Sequence, residues 1–249
     1  MRWHVGRWWL AGFLAYLIFL LATLPADYPL AWWQKRVPDA RLSKISGSVW
    51  SGAAQEFTLN GQPWGELQWH VDWRALFTGH MGYRLQLRTT GMDIQGRVAG
   101  NRGDLLLQDV RGHIPITRLE ALLPLPSGSV SGNLDVDLNR VLLIKMRPVL
   151  ADGVVSLTDT TLSWPQSLTL GSYQLKLTSQ AQKGISGSFI DTSGPLVVQG
   201  TLALAPDGRY WVSGTLTSRD PGDAALSNLL GYLPKDGAGH HPFKLDGHW

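Results

Sequence analysis

Residues 134–138 read Leu-Asp-Val-Asp-Leu, and this alternation of apolar and polar side chains decides the fold class. Successive side chains of a β-strand point to opposite faces, so the three apolar residues share one face and the two aspartates share the other. The same alternation recurs in residues 83–88, Tyr-Arg-Leu-Gln-Leu-Arg, and in residues 173–177, Tyr-Gln-Leu-Lys-Leu. We therefore expect a mainly β protein with half-buried antiparallel strands.

Turn residues separate these strands. The stretch Ala205-Pro206-Asp207-Gly208 places proline at the second turn position, where its fixed φ fits, and glycine at the last. Strand-like patches return about every 8–12 residues, a spacing typical of all-β domains. The pattern favours an elongated antiparallel β-domain, built as a meander or curved sheet, over alternating β-α-β units.

Two segments interrupt the alternation and are predicted to form short helices. The first starts at Thr117, which forms a capping box with Glu120 three residues later, and reaches Leu123. The second has Asp220 as the expected N-cap and Gly231 beyond its end. Both contain a Leu-x-x-Leu-Leu stripe, which predicts packing against a sheet.

Landmarks in the two parts of the chain repeat at a spacing of about 105 residues, which indicates an internal duplication. The predicted helices are one matching pair. The others are Gly47 with Gly153, residues 65–71 with 171–177, 95–98 with 199–202, and Gly103 with Gly208. We predict a first β half at residues 45–149 and a second at 150–249. The alternative is that a glycine-rich β sequence produces such matches by chance.

The N-terminal segment is of a different kind. Residues 8–24 form an uncharged apolar run, and pairs of tryptophans stand at positions 8 and 9 and at positions 32 and 33. A bilayer is crossed by about 17–25 apolar residues, and tryptophans gather at its interfaces. We expect a transmembrane anchor at residues 8–26, preceded by a cytoplasmic tail at 1–7 and followed by a linker at 27–44.

A cleaved signal peptide and a buried core helix are the alternatives to an anchor. The best cleavage site, Leu24-Pro25-Ala26, lacks a small residue at its first position, and a core helix would normally be amphipathic. Arg2 and Arg7 favour a cytoplasmic N-terminus, although Lys35 and Arg36 follow the run. We expect the β-domain to lie outside the cytoplasm.

The charge of the chain argues against nucleic acid as a partner. The formal net charge is +3, but the first 26 residues hold two of the 22 basic residues and none of the 19 acidic ones. The remainder is therefore near +1, with both signs interspersed. No basic patch of the kind that binds a polyanion is evident.

No catalytic constellation stands out in the sequence. The chain has no cysteine, and it contains neither a P-loop nor a G-x-G-x-x-G motif. Residues 128–132 have valine where a nucleophile elbow needs serine, so we interpret them as the start of a strand. Asp135 and Asp137 are expected on a solvated strand face. His240 and His241 are expected in a loop, because adjacent residues converge poorly on one metal.

From these residues we predict no catalytic, cofactor-binding or metal-binding residues, no cofactor and no enzymatic activity. An envelope hydrolase is the least favoured class, because no nucleophile and base are paired in the sequence.

Several motifs together resemble the type II secretion system protein N family. Residues 24–26 (Leu-Pro-Ala) and 46–54 (Ser-Gly-Ser-Val-Trp-Ser-Gly-Ala-Ala) resemble the start of the family pattern. Further similarity lies at residues 67–69, 73–79, 194–202, 207–210 and 226–239. Ser48 stands where the family usually has threonine, and Trp164 is placed differently. The resemblance covers residue 20 to the end.

The resemblance implies a bitopic inner-membrane protein of a Gram-negative bacterium, with a periplasmic β-domain in the apparatus that exports folded proteins. It implies contacts with inner-membrane subunits or the secretin, and it transfers no catalytic residues. The alternative from the residues is a periplasmic lipid-binding or lipid-transfer groove, because tandem amphipathic strands can form a trough with an apolar floor.

Overall fold

The structure is a computed structural model that describes residues 40–73, 82–100, 104–119, 129–145, 147–163, 167–180, 184–220 and 222–248. The contacts divide the chain into two compact units, the first ending at Thr89 and the second beginning at Thr90. No helix in these ranges is long and apolar enough to cross a bilayer. The anchor predicted at residues 8–26 lies outside the described residues.

The first unit is an antiparallel meander of four described strands. These are β1 (Ala40–Gly47), β2 (Ser51–Leu59), β3 (Gln62–Val71) and β4 (Gly82–Thr89). Each strand pairs with the next one along the chain.

Trp69 organises the core of the first unit. Its side chain is buried with Leu42 and Ala54, and its indole N–H donates a hydrogen bond to the Ser48 carbonyl at 3.0 Å. Gly52 lies directly under the ring, where an added Cβ would collide with the indole. The ring therefore fastens the β1–β2 connection to β3, and residue 52 must be glycine for the ring to approach so closely.

The second unit is a longer meander with two short helices. Its strands are β5 (Met92–Gly100), β6 (Asp104–Pro115), β7 (Val130–Ile144), β8 (Arg147–Leu162), β9 (Leu168–Gln180), β10 (Gly184–Ser193), β11 (Leu196–Leu204), β12 (Arg209–Ser218) and β13 (His241–His248). The helices are α1 (Ile116–Leu119) and α2 (Ala224–Leu230). Strand order again equals chain order, and each of these strands pairs antiparallel with the next.

The strand predictions are confirmed. Residues 83–88, 134–138 and 173–177 lie in β4, β7 and β9, and β7 begins at Val130 as the interpretation of residues 128–132 required. The predicted turn at residues 205–208 joins β11 to β12, with the Gly208 N–H donating to the Ala205 carbonyl at 3.0 Å.

The first helix begins one residue earlier than predicted. Ile116 is its first residue, so Thr117 lies inside the helix rather than at its cap, and Glu120 lies outside the described residues. Ile116 is 6% exposed, and α1 packs on β6 and β7. Burial of this isoleucine fixes the start of the helix and overrides the capping signal.

The cap of the second helix was predicted three residues too early. Asp223 is the N-cap, and its carboxylate accepts the Leu226 N–H at 3.0 Å. Asp220 instead accepts the Gly222 N–H at 2.8 Å, in a turn before the helix. Gly231 does follow the helix end, and its N–H donates to the Ser227 carbonyl at 2.9 Å.

The internal duplication stays a prediction. From β3 to β7 the chain runs through four strands, a helix and a strand, and β9 to β13 repeats this order. The compact units divide at Thr89 and Thr90, whereas β8 continues through the predicted boundary at residue 150.

Replacement of the α2 cap should destabilise the second unit. We expect Asp223→Ala to lower the free energy of unfolding by about 1 kcal/mol, because the Leu226 N–H loses its partner. Asp220→Ala is the control and should have a smaller effect. Denaturant unfolding of the two full-length variants compares them, and a larger loss for Asp220→Ala would contradict the cap assignment.

Candidate functional site: the apolar face of the second unit

Cross-strand register gives the second unit one continuous apolar face, which we call the apolar face. Residues opposite each other on paired strands project to the same side of a sheet. One row of opposed residues crosses all nine strands, and every member is apolar or glycine. This central row consists of Ile94, Gly112, Val136, Val155, Leu175, Phe189, Gly200, Gly214 and Phe243.

A second row of the same kind lies beside it. It consists of Val110, Leu138, Gly153, Leu177, Gly187, Leu202, Val212 and Leu245. Two adjacent rows without a charged or polar side chain make a strip of hydrocarbon that crosses β6 to β13.

Two phenylalanines lie over two glycines within the central row. The rings of Phe189 and Phe243 are 6.1 Å apart between centroids and nearly parallel, although β11 and β12 separate their strands. They meet because the intervening positions are Gly200 and Gly214, and a Cβ on Gly200 would collide with the Phe189 ring. Because the glycines have no side chains, the aromatic rings can cover the backbone of β11 and β12 on this face.

Helix α2 covers one end of the apolar face. Leu226 and Leu230 are 0% and 4% exposed and pack with Leu168 and Leu196. At the other end Ile185 is buried in a separate cluster with Val141 and Ala151. The apolar face is therefore buried at both ends, under α2 at one end and among side chains of the strands themselves at the other.

The central row lies between these clusters and belongs to neither of them. Val136, Val155, Leu175, Phe189 and Phe243 are all only half-buried. Among the described elements, strands contact strands one or two places away in the sheet, α1 contacts β6 and β7, and α2 contacts β12. The middle of the apolar face thus presents hydrocarbon with no described helix or strand packed over it.

A polar cluster lies at the α2 end of this face. The Tyr173 hydroxyl donates to the Leu170 carbonyl at 2.7 Å, and burial, followed by the nearby Asp191 carboxylate, raises the pKa of Tyr173 to about 12. The Asp191 side chain is 12% exposed and pairs with Arg219, and it also accepts the Val198 N–H at 3.3 Å. These bonds replace the hydration that the Asp191 carboxylate loses beside an apolar surface.

The opposite face is polar, as predicted for Asp135 and Asp137. His113 Nδ1 lies 2.7 Å from an Asp135 oxygen, and Arg111 Nε lies 3.1 Å from an Asp137 oxygen. All four side chains are about half exposed. They form cross-strand polar contacts on a solvated surface, where such contacts contribute little to stability.

The two adjacent histidines do not share an environment. His240 lies in a turn, with Nδ1 3.4 Å from an Asp236 carboxylate oxygen. His241 was expected in a loop but is the buried first residue of β13, with Nδ1 3.3 Å from the Leu233 carbonyl oxygen. The described residues contain no group of three or more histidine, aspartate or glutamate side chains placed to hold a metal ion.

Sequence reasoning found the strands of the apolar face but not the face itself. Each strand pattern shows which residues share a side, whereas the rows depend on which residues of neighbouring strands are opposed. The signal that was available is the pair Gly200 and Gly214, which stand at apolar positions of two alternating strands.

The raised pKa of Tyr173 should appear in an ultraviolet titration. The ordinary pKa is 10.0 and the folded value is about 12, so the neutral phenol stabilises the fold fully below pH 10 and this contribution is lost between pH 10 and 12. The difference titration of the full-length chain minus Tyr173→Phe should show a midpoint near the folded value. Tyr83, whose pKa burial also raises, is common to both proteins and cancels. A midpoint near the ordinary value would contradict the assignment.

Comparison with known proteins identifies the family of the chain. The sequence profile described as type II secretion system (T2SS), protein N, matches residues 38–244, which include every described strand start. A curated relative from Klebsiella pneumoniae, named type II secretion system protein N, is 27% identical over 94% of this chain and 92% of its own length. A relative of the same name from Aeromonas hydrophila is 27% identical over 94% of both chains.

A third relative of that name, from Vibrio cholerae, is 25% identical over 83% of this chain and 84% of its own length. No solved structure gives a significant match. The profile match spans most of the chain and includes residues of both units. The chain therefore belongs to the type II secretion system protein N family.

Proposed function

We propose that this chain is a non-enzymatic subunit of the type II secretion pathway that takes part in the export of folded proteins across the outer membrane. The observation that carries the proposal is the family match over residues 38–244. Three relatives that align over most of their length carry the name of the same system. Its partners would be other components of that system, either inner-membrane subunits or the secretin.

The proposed location is the inner membrane, with the N-terminus in the cytoplasm and both β units in the periplasm. The support comes from the sequence: residues 8–24 are apolar and uncharged, and Arg2 and Arg7 precede them. A tether at this point would hold the β units beside the membrane and so near other membrane-bound subunits.

The proposal of a non-enzymatic role rests on how the candidate acid–base groups are used. Asp135 contacts His113 and Asp137 pairs with Arg111 on a solvated face, and Asp191 pairs with Arg219. These carboxylates satisfy neighbouring residues of the sheet rather than converging with a nucleophile.

Deletion of the gene should impair export in the bacterium that encodes the chain. We expect a type II substrate to accumulate in the periplasm and to decrease severalfold in the medium, because the pathway lacks one component. A plasmid copy of the full-length chain should restore export. Unchanged export in the deletion strain, with the outer membrane intact, would contradict the proposal.

The complemented strain also tests the location. The chain contains no cysteine, so Tyr232→Cys provides a single label at a side chain that is 90% exposed. A maleimide that crosses the outer but not the inner membrane should label it in intact cells. Labelling only after cell lysis would place this residue in the cytoplasm and reject the proposed topology.

A second candidate function is a lipid-binding groove in the cell envelope, and the central row favours it. Apolar residues and glycines run across nine strands there, and the apolar side chains stay half-buried between two buried ends. An apolar surface of this length suits an acyl chain, which needs contact with hydrocarbon and few polar groups.

Adjacent valines on opposite faces of β8 provide a matched test of lipid binding. Val155 belongs to the central row, whereas Val154 lies between Asp137 and Lys176 on the polar face. With a photoactivatable phosphatidylethanolamine in membranes, Val155→Lys should reduce labelling of the full-length chain severalfold, because a charge in the groove repels acyl chains. Val154→Lys should label like the unmodified chain.

Circular dichroism should confirm that both lysine variants fold. Equal labelling of the two variants, or no labelling of the unmodified chain above background, would reject the groove. These results would leave the secretion proposal intact, because the export assay does not depend on lipid.

A further inference from the structure

The outer edge of β13 is an unpaired strand edge. On one side β13 pairs with β12 over residues 241–248, and in the part of the chain that the structure describes no strand lies along its other side. An edge of this kind presents backbone donors and acceptors that can pair with another strand. The side chains along the edge determine which strand can pair there.

The register fixes which backbone groups face outward. The Arg219 N–H donates to the Pro195 carbonyl and the Ala205 N–H to the Arg209 carbonyl, each at 2.8 Å, so the odd-numbered residues of β12 bond to β11. The even-numbered residues of β12 therefore bond to β13, and their opposed residues there are odd-numbered. The N–H and C=O groups of Lys244, Asp246 and His248 face the free edge.

Pro242 agrees with this assignment. It is even-numbered, so only its carbonyl faces outward, and the N–H that proline lacks is not needed by β12. The free edge thus offers complete pairs of donor and acceptor at Lys244, Asp246 and His248, and an acceptor at Pro242.

The side chains along the edge are self-complementary. Lys244 and Asp246 project from the polar face two residues apart, and neither forms an ion pair within the described residues. Leu245 stands between them on the apolar face and is 57% exposed. A strand running antiparallel with a lysine, a leucine and an aspartate in this order would match the edge at all three positions.

We propose that the edge strand β13 pairs with β13 of a second copy of this chain, antiparallel, about a twofold axis at Leu245. Lys244 then lies opposite Asp246 of the second copy, and Asp246 lies opposite its Lys244. Both pairs exchange two backbone hydrogen bonds, and the His248 N–H of each copy donates to the Pro242 carbonyl of the other. Opposite charges at opposed positions stabilise an antiparallel pair.

The same charges exclude the neighbouring registers. A shift of two residues in one direction places Lys244 opposite itself, and a shift in the other direction places Asp246 opposite itself. A shift of one residue matches outward-facing groups with inward-facing ones and moves the apolar face to the polar side. One register therefore satisfies both the charges and the backbone groups.

The pairing also continues the apolar face. Leu245 of one copy lies directly against Leu245 of the other, and each Phe243 lies opposite Gly247 of the second copy. The exposed leucine becomes covered, and the rows of the two copies join without a break. This inference does not depend on the proposed function.

A single cysteine at the twofold axis tests the pairing directly. The chain has no cysteine, and residues opposed at a non-hydrogen-bonded position have Cβ atoms about 4.5–5.5 Å apart, close to the geometry of a disulfide. Purified full-length Leu245→Cys should form a covalent dimer under mild oxidation, seen on non-reducing gels. Tyr232→Cys, which is 90% exposed, measures collisional crosslinking and should give at least about fivefold less dimer.

Charge reversal tests the register. Both reversals are made in the Leu245→Cys background. Lys244→Asp places two aspartates opposite each other across the pairing, and Asp246→Lys places two lysines opposite each other. Each should therefore lower dimer formation at least about fivefold. The double reversal, Lys244→Asp with Asp246→Lys, restores opposite charges and should restore the dimer. A strand that merely fails to fold would not recover in this way.

The proposal is overturned by either of two results. One is dimer formation by Leu245→Cys no greater than that by Tyr232→Cys. The other is a double reversal that crosslinks as poorly as the single reversals while circular dichroism shows all variants folded. A covalent dimer that is lost in both single reversals and regained in the double one supports it.

Discussion

The register between neighbouring antiparallel strands is the constraint on which the second unit depends. Side chains alternate between faces with a period of two, so a slip of one residue at any pair would carry apolar residues to the polar side. From Ile94 on β5 to Phe243 on β13 the opposed positions stay apolar or glycine. The packing of helix α2, the burial at the two ends and the half-buried centre of the apolar face all depend on this match of apolar positions across the strands.

Glycine makes room for an aromatic ring in each unit. Gly52 makes room for the Trp69 indole, which ties three strands of the first unit together through its contact with Ser48. Gly200 and Gly214 make room for phenylalanine rings that belong to flanking strands. In both cases an aromatic ring from a neighbouring strand occupies the space that a side chain would fill. The ring buries apolar area that a glycine by itself could not bury.

Much of the fold was predictable because its signals are local. The alternation at residues 134–138 and 173–177 identifies strands and their faces, and the turn at 205–208 has the residues that its geometry demands. The choice of Asp223 over Asp220 as N-cap was not predictable, since both are good caps and the burial of Leu226 decides between them. The central row also escaped prediction, because it depends on which residues of neighbouring strands are opposed, such as Leu175 and Phe189, and alternation within one strand does not reveal that.

The equality of strand order and chain order has a consequence for how the protein is made. Within each unit, every described strand after the first pairs with the strand that precedes it in the chain, so no pairing depends on a segment from far along the sequence. Within a unit, order can then spread from the N-terminal side while downstream residues are still being synthesised. At each stage of that growth the newest strand is the outer one, and its free edge is the template on which the following strand pairs.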